Sequence, residues 1–205
     1  MDAIIFDIDG TLWDSRVPIA KSWNRSLSEH TGKSSNLSVE YLGSLFGRTM
    51  EDIAAILLPD ATREEQAAFG EACFQAGNRY LEQEHGTLYP AVRETLTTLA
   101  TRYPLYIVSN CQSGYTEVML KTMGLEHLFQ GFVCYGDTGE SKGKNLVTLC
   151  KRYGLTDPIY VGDTQGDANA CKEAGLPMIY AAYGLGEVAS PEQTINSFSE
   201  LLNLL

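Results

Sequence analysis

The chain has 205 residues, 44% of them hydrophobic, and its 26 acidic against 15 basic side chains give a formal net charge of −11. That size and apolar content suit one core, or one core carrying a smaller inserted unit, and exclude a disordered chain. The acidity argues against nucleic acid or an anionic membrane surface as partner, since both require basic patches, while a small anionic substrate responds to local field and stays open.

The first element is the run Ala3-Ile4-Ile5-Phe6, four apolar residues that read as a strand buried on both faces. It runs directly into Asp7, Ile8, Asp9, Gly10 and Thr11. From Val17 to Thr31, Ile19, Trp23 and Leu27 recur four apart with polar residues between them, which predicts an amphipathic helix begun near Ser15 or Arg16. Helices are predicted next over Ser38–Phe46, Thr49–Leu57 and Thr62–Gln83, with no convincing strand in this block. At Tyr89-Pro90 the texture changes to strand–helix alternation. The pattern predicts helix over Ala91–Arg102, strand over Leu105–Val108, helix over Tyr115–Met123 and strand over Phe132–Tyr135. Helix Lys144–Tyr153, strand Ile159–Val161, helix Ala168–Glu173, strand Met178–Ala181 and a final helix over Ser197–Leu205 complete the chain.

Alternating strands and helices imply parallel strands joined by right-handed crossovers. The second strand begins only at Leu105, far beyond the reach of an ordinary crossover. The expected architecture is therefore α/β, a doubly wound, Rossmann-like parallel sheet interrupted by a helical insert. The core comprises residues 1–14 and 86–205, and the insert residues 15–85. No basic leader with an apolar stretch and no long apolar segment opens the chain, so a cytoplasmic protein without signal peptide or membrane span is expected. Five cysteines without a CxxC pair and three scattered histidines argue against a zinc site and suit a reducing compartment.

Polar residues end three of the strands: Asp7 after AIIF, Ser109-Asn110 after LYIV, and Asp163 after IYVG. Ligands of open parallel sheets bind beyond the strands' carboxyl ends, where the order reverses, so these remote residues can share one crevice. Asp167 lies about one turn into the next helix, and the loop before another helix supplies Lys142 and Lys144. If Asp7, Asp9, Asp163, Asp167 and one lysine converge, like charges dominate and a divalent cation must compensate them. The candidate ligands are hard oxygens, which points to Mg²⁺. Such a site can run phosphoryl transfer, with one carboxylate as nucleophile and a second, two residues on, as acid and base.

The motifs DIDGT with its trailing LWDS, a strand ending in Ser109, Lys142 in ESKGKN, and GDTQGD follow one another in an order that resembles the haloacid dehalogenase superfamily of phosphohydrolases across essentially the whole chain. The resemblance implies Asp7 as nucleophile and Mg²⁺ ligand, and Asp9 as general acid/base touching the metal through its backbone carbonyl. It implies Ser109, Asn110 and Lys142 as phosphate-binding residues, and Asp163 and Asp167 as further metal ligands. The insert resembles the family's small helical cap, with the phosphoglycolate-phosphatase-like branch nearest in texture. An acid at position 9 favours phosphate esters, because relatives that act as dehalogenases or phosphonatases carry a non-acidic residue there. The implied partner is a small phosphorylated metabolite.

Other residues admit two readings. Arg48 between two insert helices could reach a substrate's distal group or be a surface arginine. Lys144 competes with Lys142, whose spacing fits the family better, and Asp14 suits a hinge or capping role. The GLG near Gly184 has the wrong spacing for a dinucleotide fingerprint. Two further functions share these motifs: a phosphomutase of the β-phosphoglucomutase type, and a non-enzymatic receiver-like phospho-switch, which the arrangement of the acids and the insert disfavour.

Overall fold

The computed structural model describes all 205 residues. Strand β1 (Ala3–Phe6) leads into a two-residue strand β2 (Trp13–Asp14), helices α1 (Arg16–Thr31), α2 (Val39–Gly43), α3 (Met50–Leu57) and α4 (Arg63–Leu81), and strand β3 (Thr87–Leu88). The alternating half follows: α5 (Val92–Leu99), β4 (Leu105–Ser109), α6 (Tyr115–Met123), β5 (Phe129–Cys134), α7 (Tyr135–Thr138), α8 (Lys142–Tyr153) and β6 (Pro158–Gly162). Helix α9 (Gln165–Ala174), β7 (Met178–Ala181), β8 (Gln193–Ile195) and α10 (Leu201–Leu204) close the chain.

Six strands form one sheet in the order β5-β4-β1-β6-β7-β8, and every neighbouring pair is parallel. The order reverses at β1, whose carboxyl end therefore opens on the crevice between two diverging crossovers. Period-two alternation divides the strand between two cores. Ile4 and Phe6 pack with Leu96, Met119, Phe198 and Leu201 on one face, while Ala3 and Ile5 pack with Leu146, Leu149 and Cys171 on the other. Burial on both faces is why the run is uniformly apolar.

The insert is built around α1, whose Ile19, Trp23 and Leu27 are buried in one cluster with Phe69 and Cys73 of α4. Helix α4 opens on a capping box in which Thr62 and Glu65 satisfy each other's end of the first turn. Its entry and exit lie side by side, because Trp13 pairs with Leu88 and Asp14 with Thr87 in an antiparallel ladder. Gly86 permits that neck: a Cβ there would stand 2.6 Å from the Trp13 ring.

Several boundaries differ from expectation. Helix α2 ends at Gly43 instead of Phe46, and the chain passes through Gly47 at φ 83°, a left-handed conformation that stops a helix and turns the loop toward the sheet. Helix α8 starts at Lys142, two residues early, because the Ser141 hydroxyl accepts from the Lys144 N–H and caps it. Helix α9 starts at Gln165 for the same reason, with Thr164 as cap. Strand β8 escaped the pattern because Gln193 and Thr194 are exposed on an edge and carry no alternation. The expected terminal helix shrinks to α10 behind a short 3₁₀ turn over Phe198–Glu200.

Candidate active site

The end of β1 is held open by backbone geometry. The Asp7 N–H donates to the Val161 carbonyl at 2.9 Å, extending the ladder by one residue, and the chain then turns so that the Leu12 N–H bonds to the Ile8 carbonyl at 2.8 Å. Gly10 sits in this turn at φ 83°, and a Cβ there would lie 2.0 Å from Asp163 Oδ2. Only glycine serves, which explains the fourth residue of DIDG.

Behind the turn, Asp7, Asp163 and Asp167 each offer an oxygen within 4.8 Å of the others, and all three are buried. Lys142 is buried among them, its Nζ donating to Asp7 Oδ1 at 2.9 Å and to Asp167 Oδ1 at 2.6 Å. Lys144 lies outside, in an exposed pair with Glu140. Asp167 also caps its own helix: Oδ2 accepts from the Thr164 N–H at 2.9 Å and from Thr164 Oγ1 at 2.7 Å. Asp163 makes no direct ion pair with Lys142. Its partners are the Thr11 hydroxyl at 3.3 Å and the Leu185 N–H at 2.7 Å, the latter from the GLG loop.

The electrostatics follow from one ammonium serving three carboxylates. Burial lifts the Asp163 carboxyl to about 8, and the charges of Asp7 and Asp167 push the same way. Burial also raises Asp7, with Lys142 pulling against it. Burial would raise Asp167 too, yet Lys142 and Thr164 hold it below the usual range. Burial alone would lower Lys142, but Asp167 and Asp7 keep its ammonium firmly charged. A site short of positive charge, lined by hard oxygens close enough together to share one ion, fits a divalent cation of the Mg²⁺ kind.

Asp9 points elsewhere. Three donors converge on its Oδ1: Tyr115 OH at 2.6 Å, Ser15 Oγ at 2.8 Å and Trp13 Nε1 at 3.1 Å. Burial still lifts its carboxyl to about 7, because these hydrogen bonds offset only part of the desolvation. A carboxyl of that kind can hold a proton near neutrality and release it. With one oxygen occupied, Oδ2 is left to exchange that proton.

Ser109 ends β4, buried, and shares with Asp7 and Asp9 the walls of one cavity. Asn110 lines it as well, but its amide donates to the Gly47 carbonyl at 2.8 Å, tying the loop after β4 to the insert. Arg48, beside Gly47, is exposed at the mouth of the same cavity. Asp14 is turned away from the acid cluster and grips Arg16 through both oxygens, at 2.9 and 2.7 Å. Trp13 is fully buried at the neck, edge-on to Tyr115 with ring centres 5.8 Å apart.

Thr11, Ser15, Tyr115, Thr164 and Leu185 were not read from the sequence as site residues. Thr164 had a legible signal, the Thr-x-x-Asp spacing of a capping box. Tyr115 had none, since it lies 106 positions from the acid it touches.

A model of the haloacid dehalogenase-like hydrolases matches residues 4–181. The phosphoglycolate phosphatase of Chromobacterium violaceum is 29% identical over 99% of this chain and 96% of that protein. That of Aliivibrio fischeri is 29% identical over 98% and 95%. Among solved structures, a predicted phosphoglycolate phosphatase from Haemophilus somnus has the same fold, with a TM-score of 0.85 at 24% identity over 100% of this chain and 97% of that one. CbbY from Rhodobacter sphaeroides, solved in complex with phosphate, superposes with a TM-score of 0.82 at 20% identity over 98% and 96%. By this match over most of its length, the chain belongs to the haloacid dehalogenase-like hydrolase family, as an enzyme similar to its phosphatases.

Proposed function

We propose that the chain is a Mg²⁺-dependent phosphatase of small phosphate monoesters, working through an aspartyl-phosphate on Asp7. The observation that carries this reading is the opposite disposal of two acids two residues apart. Asp7 faces Lys142 and the acid cluster, while Asp9 is turned to Tyr115, Ser15 and Trp13 at the cavity floor.

In the first half-reaction an Asp7 oxygen bonds to phosphorus as the bond from phosphorus to the alcohol oxygen breaks, and that oxygen takes the Asp9 proton. In the second, Asp9 takes a proton from water, the water oxygen bonds to phosphorus, and the Asp7 carboxylate leaves. Lys142, the Ser109 hydroxyl and the backbone around Asn110 bind the equatorial phosphoryl oxygens. The carboxylates of Asp7, Asp163 and Asp167, with the Asp9 carbonyl, would hold Mg²⁺. It would neutralise charge on the phosphoryl group and let the substrate dianion approach the acids.

In this reading residues 15–85 are a cap domain over the core of residues 1–14 and 86–205, and its closure excludes water from the phospho-enzyme. The Asn110–Gly47 hydrogen bond supports the closed arrangement. Arg48 meets a distal group of the substrate at the mouth. The similarity to phosphoglycolate phosphatases supports a small phosphorylated metabolite as substrate. Free cysteines throughout suit the cytoplasm, and no helix is long and apolar enough to cross a membrane.

Turnover of p-nitrophenyl phosphate with Mg²⁺ tests the reading. It should vanish with EDTA, return with Mg²⁺, and be absent from a folded Asp7→Asn variant. Substantial turnover by that variant rules out the covalent route.

A further inference from the structure

Tyr115 is the first residue of α6, a helix of the core, and its hydroxyl ends on Asp9. Of the three donors on Asp9 Oδ1 it is the nearest, at 2.6 Å against 2.8 Å for Ser15 and 3.1 Å for Trp13. Ser15 and Trp13 follow Asp9 directly in the chain, at the neck that leads into the insert. Tyr115 alone comes from a remote part of the chain, 106 positions away.

Tyr115 is itself held in place. Its ring stands edge-on to Trp13 with centres 5.8 Å apart, and its hydroxyl is also 2.8 Å from Ser15 Oγ. Its N–H donates to the Gln112 carbonyl at 3.2 Å. The next residue, Thr116, is fully buried, with its hydroxyl 3.3 Å from Cys111 Sγ. From the insert, the Asn78 amide of α4 donates to the Ser113 carbonyl at 3.1 Å. The connection from β4 to α6 is therefore braced at Cys111, Gln112 and Ser113. It begins at Ser109, whose hydroxyl accepts from the Cys111 N–H at 3.4 Å. One short, braced connection thus carries a phosphoryl-binding hydroxyl at its start and the nearest donor to Asp9 at its end.

An aspartate turns about two torsions, and the second of them is broad, so its carboxyl stays in one orientation only when neighbours hold it. A proton donor must stand within hydrogen-bond reach of the leaving oxygen, and a misplacement of about 1 Å can cost about 10²-fold. We propose that Tyr115 is a positioning residue for the acid–base step: its hydroxyl fixes the Asp9 carboxyl relative to the phosphoryl group bound at Ser109, so that Oδ2 faces the leaving oxygen. Tyr115 acts through Asp9 and makes no bond to phosphorus or to the leaving oxygen. This rests on the phosphatase reading above and adds a residue to it.

The test is Tyr115→Phe, which keeps the ring against Trp13 and removes only the hydroxyl, with circular dichroism and thermal unfolding as the check on folding. Two rates are compared with Mg²⁺: single-turnover cleavage of ethyl phosphate, whose alkoxide needs an acid, and the nitrophenolate burst from p-nitrophenyl phosphate, whose leaving group needs little acid help. The loss on ethyl phosphate should exceed the loss in burst rate by about tenfold or more, a sizeable part of what general acid catalysis is worth. In an Asp9→Asn background, where the acid is already gone, adding Tyr115→Phe should slow the burst by less than about twofold. Equal losses on the two esters, no loss on ethyl phosphate, or a large further loss in the Asp9→Asn background overturns the positioning role and leaves the phosphatase reading standing. Absence of Mg²⁺-dependent turnover of both esters by the parent protein removes both.

Discussion

Replacing Lys142 by methionine tests the balance of charge on which the site is built. Methionine keeps most of the stem's volume, so packing loss is small, but it removes the one ammonium shared by Asp7 and Asp167. Taking one partner from a buried ion pair costs about 3–5 kcal/mol, because the opposite charge is left uncompensated. At this chain length each 1 kcal/mol moves the melting temperature by roughly 2–4 °C, so a fall of roughly 6–20 °C is expected. Protonation limits the loss. Burial already raises the Asp163 carboxyl to about 8, and without Lys142 the acids should take up protons more readily, so the fall should be smaller at acidic than at alkaline pH. The assay is thermal unfolding by circular dichroism in EDTA, repeated with saturating Mg²⁺. The metal should restore part of the lost stability, and the variant should gain more from it than the parent protein does. Activity should stay low even with Mg²⁺, by about 10²–10³-fold, since phosphoryl oxygens lose a fixed cation. A shift under about 3 °C in EDTA, below what a single buried charge pair requires, would refute the assignment of Lys142 as the structural counter-ion.

Three further outcomes are expected. Asp163, raised to about 8, binds its proton more tightly folded than unfolded, so its stabilising contribution is full at low pH and lost as pH rises through about 8. The metal-free protein should therefore melt lower at about pH 9 than at about pH 6.5, and the Mg²⁺-induced rise should be larger at the higher pH, where no proton must be displaced; a rise independent of pH contradicts this. Asp9→Asn should release a burst of about one nitrophenolate per site from p-nitrophenyl phosphate and then stall, and should show neither burst nor turnover with an alkyl phosphate, since general acid–base catalysis is worth about 10²–10⁴-fold; equal small losses on both would make Asp9 structural. Arg48→Ala should raise KM for an ester that carries an anionic end and barely change p-nitrophenyl phosphate, whereas equal losses on both would indicate a defect in closure or folding.

Much of the fold was legible because it is encoded locally. AIIF is apolar at every position, so it had to be buried on both faces, and only a central parallel strand offers that. The four-residue recurrence of Ile19, Trp23 and Leu27 specified a helix and the face it buries. The late arrival of the second core strand pointed to a long helical excursion, which runs from α1 to α4. The acids at the strand ends pointed to a shared crevice because parallel sheets bring such ends together whatever the intervening chain does. Short or edge elements were not legible: β2 and β3 are two residues each, and β8 is exposed at two of its three positions, so no periodicity could develop.

By itself, the sequence determined a doubly wound parallel sheet and pointed to acids gathered at the carboxyl ends of its strands. Which groups surround each acid was decided by tertiary structure alone. Lys142 and Lys144 are two residues apart in composition-neutral surroundings; the Ser141 cap sets the register of α8 and so buries one and exposes the other. Asp7 and Asp9 are both carboxylates on one turn, yet one meets an ammonium and the other a tyrosine from α6. The GLG loop looked inert until it placed the Leu185 N–H on Asp163. The physical reason is common to all three. Hydrogen-bond partners and desolvation depend on what the folded chain brings within a few ångströms, and a linear pattern carries periodicity but not that proximity.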